Sequence, residues 1–190
     1  MTDNSDLLII KKVLAGNRNA YALLVDRYKD MAVGLAYNIL LNREDAEEIA
    51  QDAFVKAYGS LYTYRATAKF STWLYRIVVN CALNKKKLKK YAVVNLDTTT
   101  QNILEEEAGD GLQSMMQQAS KEHIQAALQT ISDNERICIS LYYLSELSVE
   151  EIHAVTGIMA SNIKVLLYRG RKSLYASLKQ RLKQEIRDLI

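Results

Sequence analysis

Apolar residues recur along this chain every three or four positions, and no stretch of useful length alternates apolar with polar. That is the helical period. Leu7, Ile10, Val13 and Leu14 predict a short helix over 6–15, which Gly16 stops. Leu24, Met31, Leu35 and Ile39 predict a longer one over 20–41. Asn42, with Asp45 three residues on, is a weaker variant of the capping box and starts a third helix that ends at Gly59. The stretch LYTYRATA (61–68) reads as a loop. In 69–90, Phe70, Trp73, Leu74, Ile77, Val78, Cys81 and Leu83 suit a helix buried on one side. Further on, Ile124, Ala127, Leu128 and Ile131 share a helix face, and a Ser132/Glu135 capping box opens a helix through Ile137, Leu141 and Leu144. With no proline in 190 residues, the pattern predicts an all-α chain.

The stretch 147–172 is the most informative. Ser148 and Glu151 form a capping box, flanked by Leu147 and Ile152 as a hydrophobic staple. A short helix over 149–156 ends at Gly157, where a left-handed backbone is free of a Cβ penalty. A second helix begins near Ala160, with Ile163, Leu166, Leu167, Gly170 and Leu174 on its inner face. Its outer face carries Ser161, Asn162, Lys164, Arg169, Arg171 and Lys172. Two helices on a tight glycine turn, the second polar and basic at its leading end, read as a helix-turn-helix that sets base contacts in a major groove. The plain alternative is a helical hairpin with a solvated basic face.

Charge changes this picture more than composition does. The net charge is only +3, but it is segregated. From Tyr91 to Gln118 the only charges are Asp97, Glu105, Glu106, Glu107 and Asp110, among threonines and glycines. That predicts a flexible acidic linker over 91–118 between two helical domains, 1–90 and 119–190. From Ala160 onward, eight Lys/Arg face Glu185 and Asp188. Cys81 and Cys138 sit inside apolar patterns and read as buried thiols of a reduced cytosol. There is no basic n-region before an apolar run, and the run 31–41 is too short to span a bilayer. The expectation is a cytoplasmic protein with no membrane insertion. There is no nucleotide-binding glycine loop, nucleophile elbow or metal-ligand spacing, and His123 and His153 stand alone. No metal, cofactor or enzymatic activity is expected.

Two helices carry candidate chemistry in the first domain. Asp45, Glu48 and Asp52 share a face of the third helix, with Glu44 and Gln51 beside it, opposite the small residues Ala46, Ile49, Ala50, Ala53 and Ala57. A row of unpaired carboxylates suits a basic partner, although spacing alone favours a solvated acidic face. In 69–90, Lys69, Arg76, Asn80 and the lysines 85–87, 89 and 90 alternate with aromatic residues. Bases stack on aromatic faces while cations neutralise phosphate, which suits single-stranded nucleic acid. Phe70 reads as core; Trp73 and Tyr75 suit core and strand equally.

DAEEIAQDAFVKAY (45–58), KFSTWLYRIVVNCALNKKK (69–87) and LSVEEIHAVTG…NIKVLLYRGRKSL (147–174) together resemble the extracytoplasmic-function (ECF) group of bacterial sigma-70 family factors. The resemblance covers nearly the whole chain in order. It implies two helical domains, region 2 and region 4, that bind RNA polymerase core and direct it to promoters. It places Asp45, Glu48, Gln51, Asp52 and Phe54 where the family docks on the β′ coiled coil. It places Tyr62, Tyr64 and Arg65 in the loop that captures an extruded −10 base. Lys69, Trp73, Tyr75, Arg76, Asn80, Lys85, Lys86 and Lys87 then hold the melted strand. Ser161, Asn162, Lys164, Tyr168, Arg169, Arg171 and Lys172 fall where the family reads the −35 duplex.

The resemblance also implies the β subunit as a partner, promoter DNA both duplex and single-stranded, and an anti-sigma factor. The sequence departs from the family pattern at three points. His153 replaces a small residue and should open the helix crossing unless its ring points outward. Met159 stands where Ser or Thr caps the reading helix, so that start should fray, and Gly170 replaces an alanine. Two rival readings remain at this point. A stand-alone duplex-binding regulator has no need of the first domain's surfaces, and a protein-only adaptor has no need of the basic ones.

Overall fold

A computed structural model describes residues 4–93 and 123–188 of the chain. The described residues are helices joined by short turns and loops, with no strand among them. The helices are α1 (Asn4–Leu14), α2 (Tyr21–Leu40), α3 (Arg43–Ser60) and α4 (Phe70–Val93). A short α5 (123–128) precedes α6 (Asp133–Ile139), α7 (Val149–Thr156) and α8 (Ala160–Asp188).

Local chemistry sets the boundaries. The Asn42 side chain accepts the Asp45 N–H at 2.8 Å and starts α3. Both serine–glutamate boxes close, with the Ser132 N–H on Glu135 at 3.1 Å and the Ser148 N–H on Glu151 at 2.9 Å. Gly157, at φ 74°, donates to the His153 carbonyl at 2.8 Å and ends α7 as predicted.

Some boundaries differ from the expectation. Gly59 does not stop α3, which runs on to Ser60. Leu41 ends α2 in the left-handed region (φ 57°) with no glycine to mark it. The helix expected through Leu144 is α-helical only to Ile139 and then widens into a π-turn, Ser140–Leu144, with the Ser145 N–H on the Ser140 carbonyl at 3.1 Å. Helix α4 extends to Val93, three residues into the expected linker; the rest of that linker lies outside the described residues.

In the first half α2, α3 and α4 pack around Leu24, Leu35, Ile39, Ile49, Phe70, Leu74 and Val78, all buried. Each such side chain contributes about 1.5–3 kcal/mol through burial. The buried alanines of α3 (Ala46, Ala50, Ala53 and Ala57) keep those backbones close. In the second half Ile137, Leu141, Ile152, Ile163 and Leu167 make the core.

The two halves are packed together, α7 against α4 and α6 against α2, so that their apolar residues form one cluster. Arg136 lies at this junction, 2% exposed. Its Nε donates to the Asn38 carbonyl at 2.6 Å, in the last turn of α2. Its Nη1 reaches the Leu128 and Ile131 carbonyls at 3.1 and 3.4 Å, and its Nη2 meets Asp133 at 2.5 Å. Burial lowers its pKa, and Asp133 opposes that shift. Lys86 of α4 completes the junction, donating to Asp133 at 2.6 Å and to the Ile39 carbonyl at 3.3 Å. Helix ends leave such carbonyls unpaired and carry partial negative charge, so both cations are well placed.

Candidate nucleic-acid interface

The acidic row on α3 is only partly free. Glu44, Glu48, Gln51 and Asp52 are exposed, but Asp45 is buried, ion-paired with Lys89 and 3.7 Å from Lys85. Lys85 also holds Glu48 at 2.8 Å, and this hydrogen bond raises the lysine's pKa. The row is therefore not the unpaired set its spacing suggests, because α4 lays its lysines along one edge of it. Phe54 is a further correction: it is 7% exposed, in the core, and its carbonyl accepts the Tyr21 hydroxyl at 2.8 Å. The apolar side chain on the outer stripe is Val55, 72% exposed, one turn from Gln51 and Asp52 and two turns from Glu48. Its i+3 spacing from Asp52 was the available signal.

Helix α4 divides the candidate strand-binding residues between two faces. Lys69, just before the helix, and Trp73, Arg76, Asn80 and Lys87 follow one another at helical spacing and face outward. Asn84, exposed on the same stripe, belongs with them and had no chemical signal except its position. Tyr75, Lys85 and Lys86 are turned away from this stripe. Tyr75 is 6% exposed and packed under the 145–146 loop, where burial first, then the Glu146 charge, raise its hydroxyl pKa against a Ser145 hydrogen bond. Thr72 is buried beside it and donates to Glu151 of α7 at 3.4 Å. Lys85 and Lys86 are occupied by Glu48 and Asp133. These three residues hold helices together here, in place of the strand contacts expected of them.

The outward stripe begins at an aromatic cluster. Phe70, 1% exposed, lies 5.6 Å from Trp73, 5.7 Å from Tyr64 and 5.5 Å from Tyr28 between ring centroids. Tyr64 and Trp73, both half-buried, are 5.6 Å apart. The Tyr64 hydroxyl donates to the Ala68 carbonyl at 2.7 Å and draws the loop into a closed turn. Ala66 stands in that turn at φ 56°, so the backbone is strained there. Tyr62, 77% exposed, and Arg65 project from the loop. The result is two ring edges backed by a packed third ring, an exposed loop closed by Tyr64, and cations further along α4.

In the helix-turn-helix, Ser161, Asn162, Lys164, Tyr168, Arg169, Arg171 and Lys172 are all exposed. Ser161, Val165, Tyr168 and Lys172 form one outward stripe, with Asn162 and Arg169 on one flank and Lys164 and Arg171 on the other. Val165, 44% exposed, is an apolar member that a search for polar residues overlooks. Arg171 is partly engaged, its Nε on the Leu167 carbonyl at 3.1 Å and its Nη1 on the Tyr143 hydroxyl at 3.4 Å. The His153 ring does point outward and meets the Ile158 carbonyl at 2.8 Å, so it ties the turn and leaves the crossing closed. Met159 is exposed, yet the Ile163 N–H reaches its carbonyl at 3.0 Å, so the first turn of α8 is formed without a side-chain cap.

Among the described residues no three His, Cys, Asp or Glu side chains gather to hold a metal ion. No described helix is long and apolar enough to cross a membrane.

Comparison with known proteins gives the family. The sigma-70 region 2 family model matches residues 24–90, and the sigma-70 region 4 model matches 121–174. The chain is 33% identical to the ECF RNA polymerase sigma factor SigW of Bacillus subtilis, over 95% of this chain and 96% of that one. It is 27% identical to the ECF RNA polymerase sigma-E factor of Escherichia coli K12, over 90% and 92%. Among solved structures, the fold is similar to the sigma factor RpoE in complex with the anti-sigma factor NepR from Bartonella quintana. That match has a TM-score of 0.71 at 21% identity and covers 84% of this chain and 96% of that one. CnrH, in complex with the cytosolic domain of CnrY, has a TM-score of 0.68 at 20% identity and covers 93% and 99%.

Proposed function

We infer the work of this chain from its membership: it belongs to the ECF group of sigma-70 family RNA polymerase sigma factors. It acts in transcription initiation. We propose that it does so by binding RNA polymerase core and choosing the promoter, while the polymerase performs the chemistry.

The observation that carries this reading is the outward stripe of α4. Lys69, Trp73, Arg76, Asn80 and Lys87 alternate ring, cation and amide on one face, with the Tyr62–Arg65 loop at its head. Such a face suits a single strand, whose bases stack at about 1–3 kcal/mol each while lysines and arginines follow the phosphates. Extruding the captured base costs a few kcal/mol, least where the duplex is already open. Tyr64 and Trp73 would receive it.

In the same reading, α8 lies in the major groove of the −35 duplex. Ser161, Asn162 and Lys164 are placed to reach base edges, Val165 to meet a thymine methyl, and Arg169, Arg171 and Lys172 to hold phosphate. Glu48, Gln51, Asp52 and Val55 on α3 offer core polymerase an acidic rim around an apolar centre. An anti-sigma partner belongs to the proposal, supported by the likeness to RpoE bound to NepR. The 145–146 loop covers Tyr75 and Asp133 of α6 holds Lys86, so a strand contact by either residue would require the two halves to shift.

The test is reconstitution. Purified chain is added to bacterial core polymerase, and co-elution and promoter-dependent initiation are measured. Wild type should do both. Val55→Asp with Asp52→Lys should abolish co-elution, and Trp73→Ala should spare co-elution but block initiation. Duplex binding by the chain alone, without co-elution, would move the assignment to a stand-alone regulator.

A further inference from the structure

Helix α1 packs against the 3-10 turn Leu61–Thr63 at the root of the loop, although the region 2 match begins only at residue 24. Its Asp6 is 3% exposed, a costly place for a carboxylate unless it is fully bonded. Asp6 accepts the Tyr28 hydroxyl at 2.5 Å and a guanidinium N–H of Arg27. Arg27 also donates to Ser5 Oγ at 2.6 Å, so α1 is held at two adjacent residues. The Tyr28 ring is tilted against Phe70, and Phe70 supports both Tyr64 and Trp73. The Asp6 charge also reaches Tyr64, where it adds to burial in raising the hydroxyl pKa.

An apolar residue at position 6 would bury without the cost of desolvating a carboxylate, but would offer neither Arg27 nor the Tyr28 hydroxyl an acceptor. What the carboxylate adds is direction: a hydrogen bond to the Tyr28 hydroxyl fixes where that ring lies in its plane. A ring so fixed limits how far Phe70 can rock, and through it the two outer rings.

We propose that Asp6 is a positioning residue for strand capture: through Tyr28 and Phe70 it sets the Tyr64 and Trp73 rings to receive an unstacked base of single-stranded DNA. This rests on the strand-binding reading of α4 given above.

The experiment uses full-length chain bound to core polymerase. The probe is the best-bound sequence that the wild-type holoenzyme selects from a random-sequence single-stranded DNA pool, labelled with fluorescein. Asp6→Asn and Tyr28→Phe should each weaken strand binding by about tenfold, within the range of one stacked base, with core affinity unchanged. Trp73 is the only tryptophan of this chain, so in the free chain, measured separately without polymerase, its emission reports ring position. It should shift in both variants and respond less to added strand. Asp6→Glu, which keeps two accepting carboxylate oxygens where Asn keeps one, should recover part of the affinity. If Asp6→Asn fails to fold, Tyr28→Phe, which removes one oxygen, carries the test.

Wild-type strand affinity in Asp6→Asn and Tyr28→Phe, with Trp73→Ala still defective, would overturn the proposal and leave the strand-binding reading standing. Parallel loss of core and strand binding would also overturn it, since that marks a general structural prop. Undiminished binding in Trp73→Ala and Tyr64→Ala would overturn both.

Discussion

Gly170 and Ile139 are packed so tightly that a Cβ on residue 170 would stand 2.9 Å from Cγ1 of Ile139. It would also lie 3.4 Å from Cβ of Glu135. The glycine at 170 thus has a local cause: α6 presents a branched side chain where α8 crosses it. Gly170→Ala gains about 1 kcal/mol of helix propensity but overpacks at a cost of about 1–3 kcal/mol. The expected net effect is a loss of stability, read as a lower urea midpoint. Adding Ile139→Val should recover part of it, a coupling that a double-mutant cycle measures.

The junction at Arg136 gives a second prediction. Arg136→Ala leaves the Asn38, Leu128 and Ile131 carbonyls without their donor. Breaking a buried charged network by removing one partner costs roughly 3–5 kcal/mol. The two halves should also separate, seen as a larger radius of gyration by small-angle scattering. Arg136→Lys should not rescue, because one ammonium cannot reach three carbonyls set around a planar fork.

Alkaline pH tests the buried thiol. Burial pushes the Cys138 pKa up to about 11 from 9.0. Below pH 9 both native and unfolded thiols keep their proton and contribute no pH dependence. Between those two values the unfolded chain has released a proton that the native chain retains, so stability falls as pH rises. One such group gives about 1.4 kcal/mol per pH unit. Urea unfolding across this window should fall more steeply for wild type than for Cys138→Ala by about that slope. Burial of the Tyr21 hydroxyl acts in the same direction.

Salt dependence separates the two arginines of α8. Arg169 makes no side-chain hydrogen bond or ion pair among the described residues, whereas Arg171 is shared with Leu167 and Tyr143. If Arg169 holds one phosphate, Arg169→Ala should reduce the log-salt slope of duplex binding by about 0.9. Arg171→Ala should change it less. A slope unaltered by either substitution would count against phosphate contact.

The helices were legible because their signals are local. Asn42 with Asp45, Ser132 with Glu135 and Ser148 with Glu151 each cap within three residues, and Gly157 takes the left-handed backbone that its position requires. Leu41 and the π-turn were not legible, since nothing in their side chains announces either geometry. The candidate faces were half legible. Spacing placed Asp45, Glu48 and Asp52 on one helix, but the lysines that occupy two of them come from positions 85 and 89. Likewise Tyr75 and Lys86 look like strand contacts until α6 and the 145–146 loop are laid over them. Long-range pairing was the missing information in each case.

The socket at the end of α2 has an evolutionary consequence. Arg136 and Lys86 grip the carbonyls of residues 38 and 39, which every amino acid carries, and leave those side chains out of the bargain. Substitution at 38 or 39 would not by itself release the grip, although burial of Ile39 in the core limits it separately, while position 136 cannot change. Covariation between the two halves would be faint at this junction even though the contact is strong. Related chains would keep the arginine and show no matching partner for it.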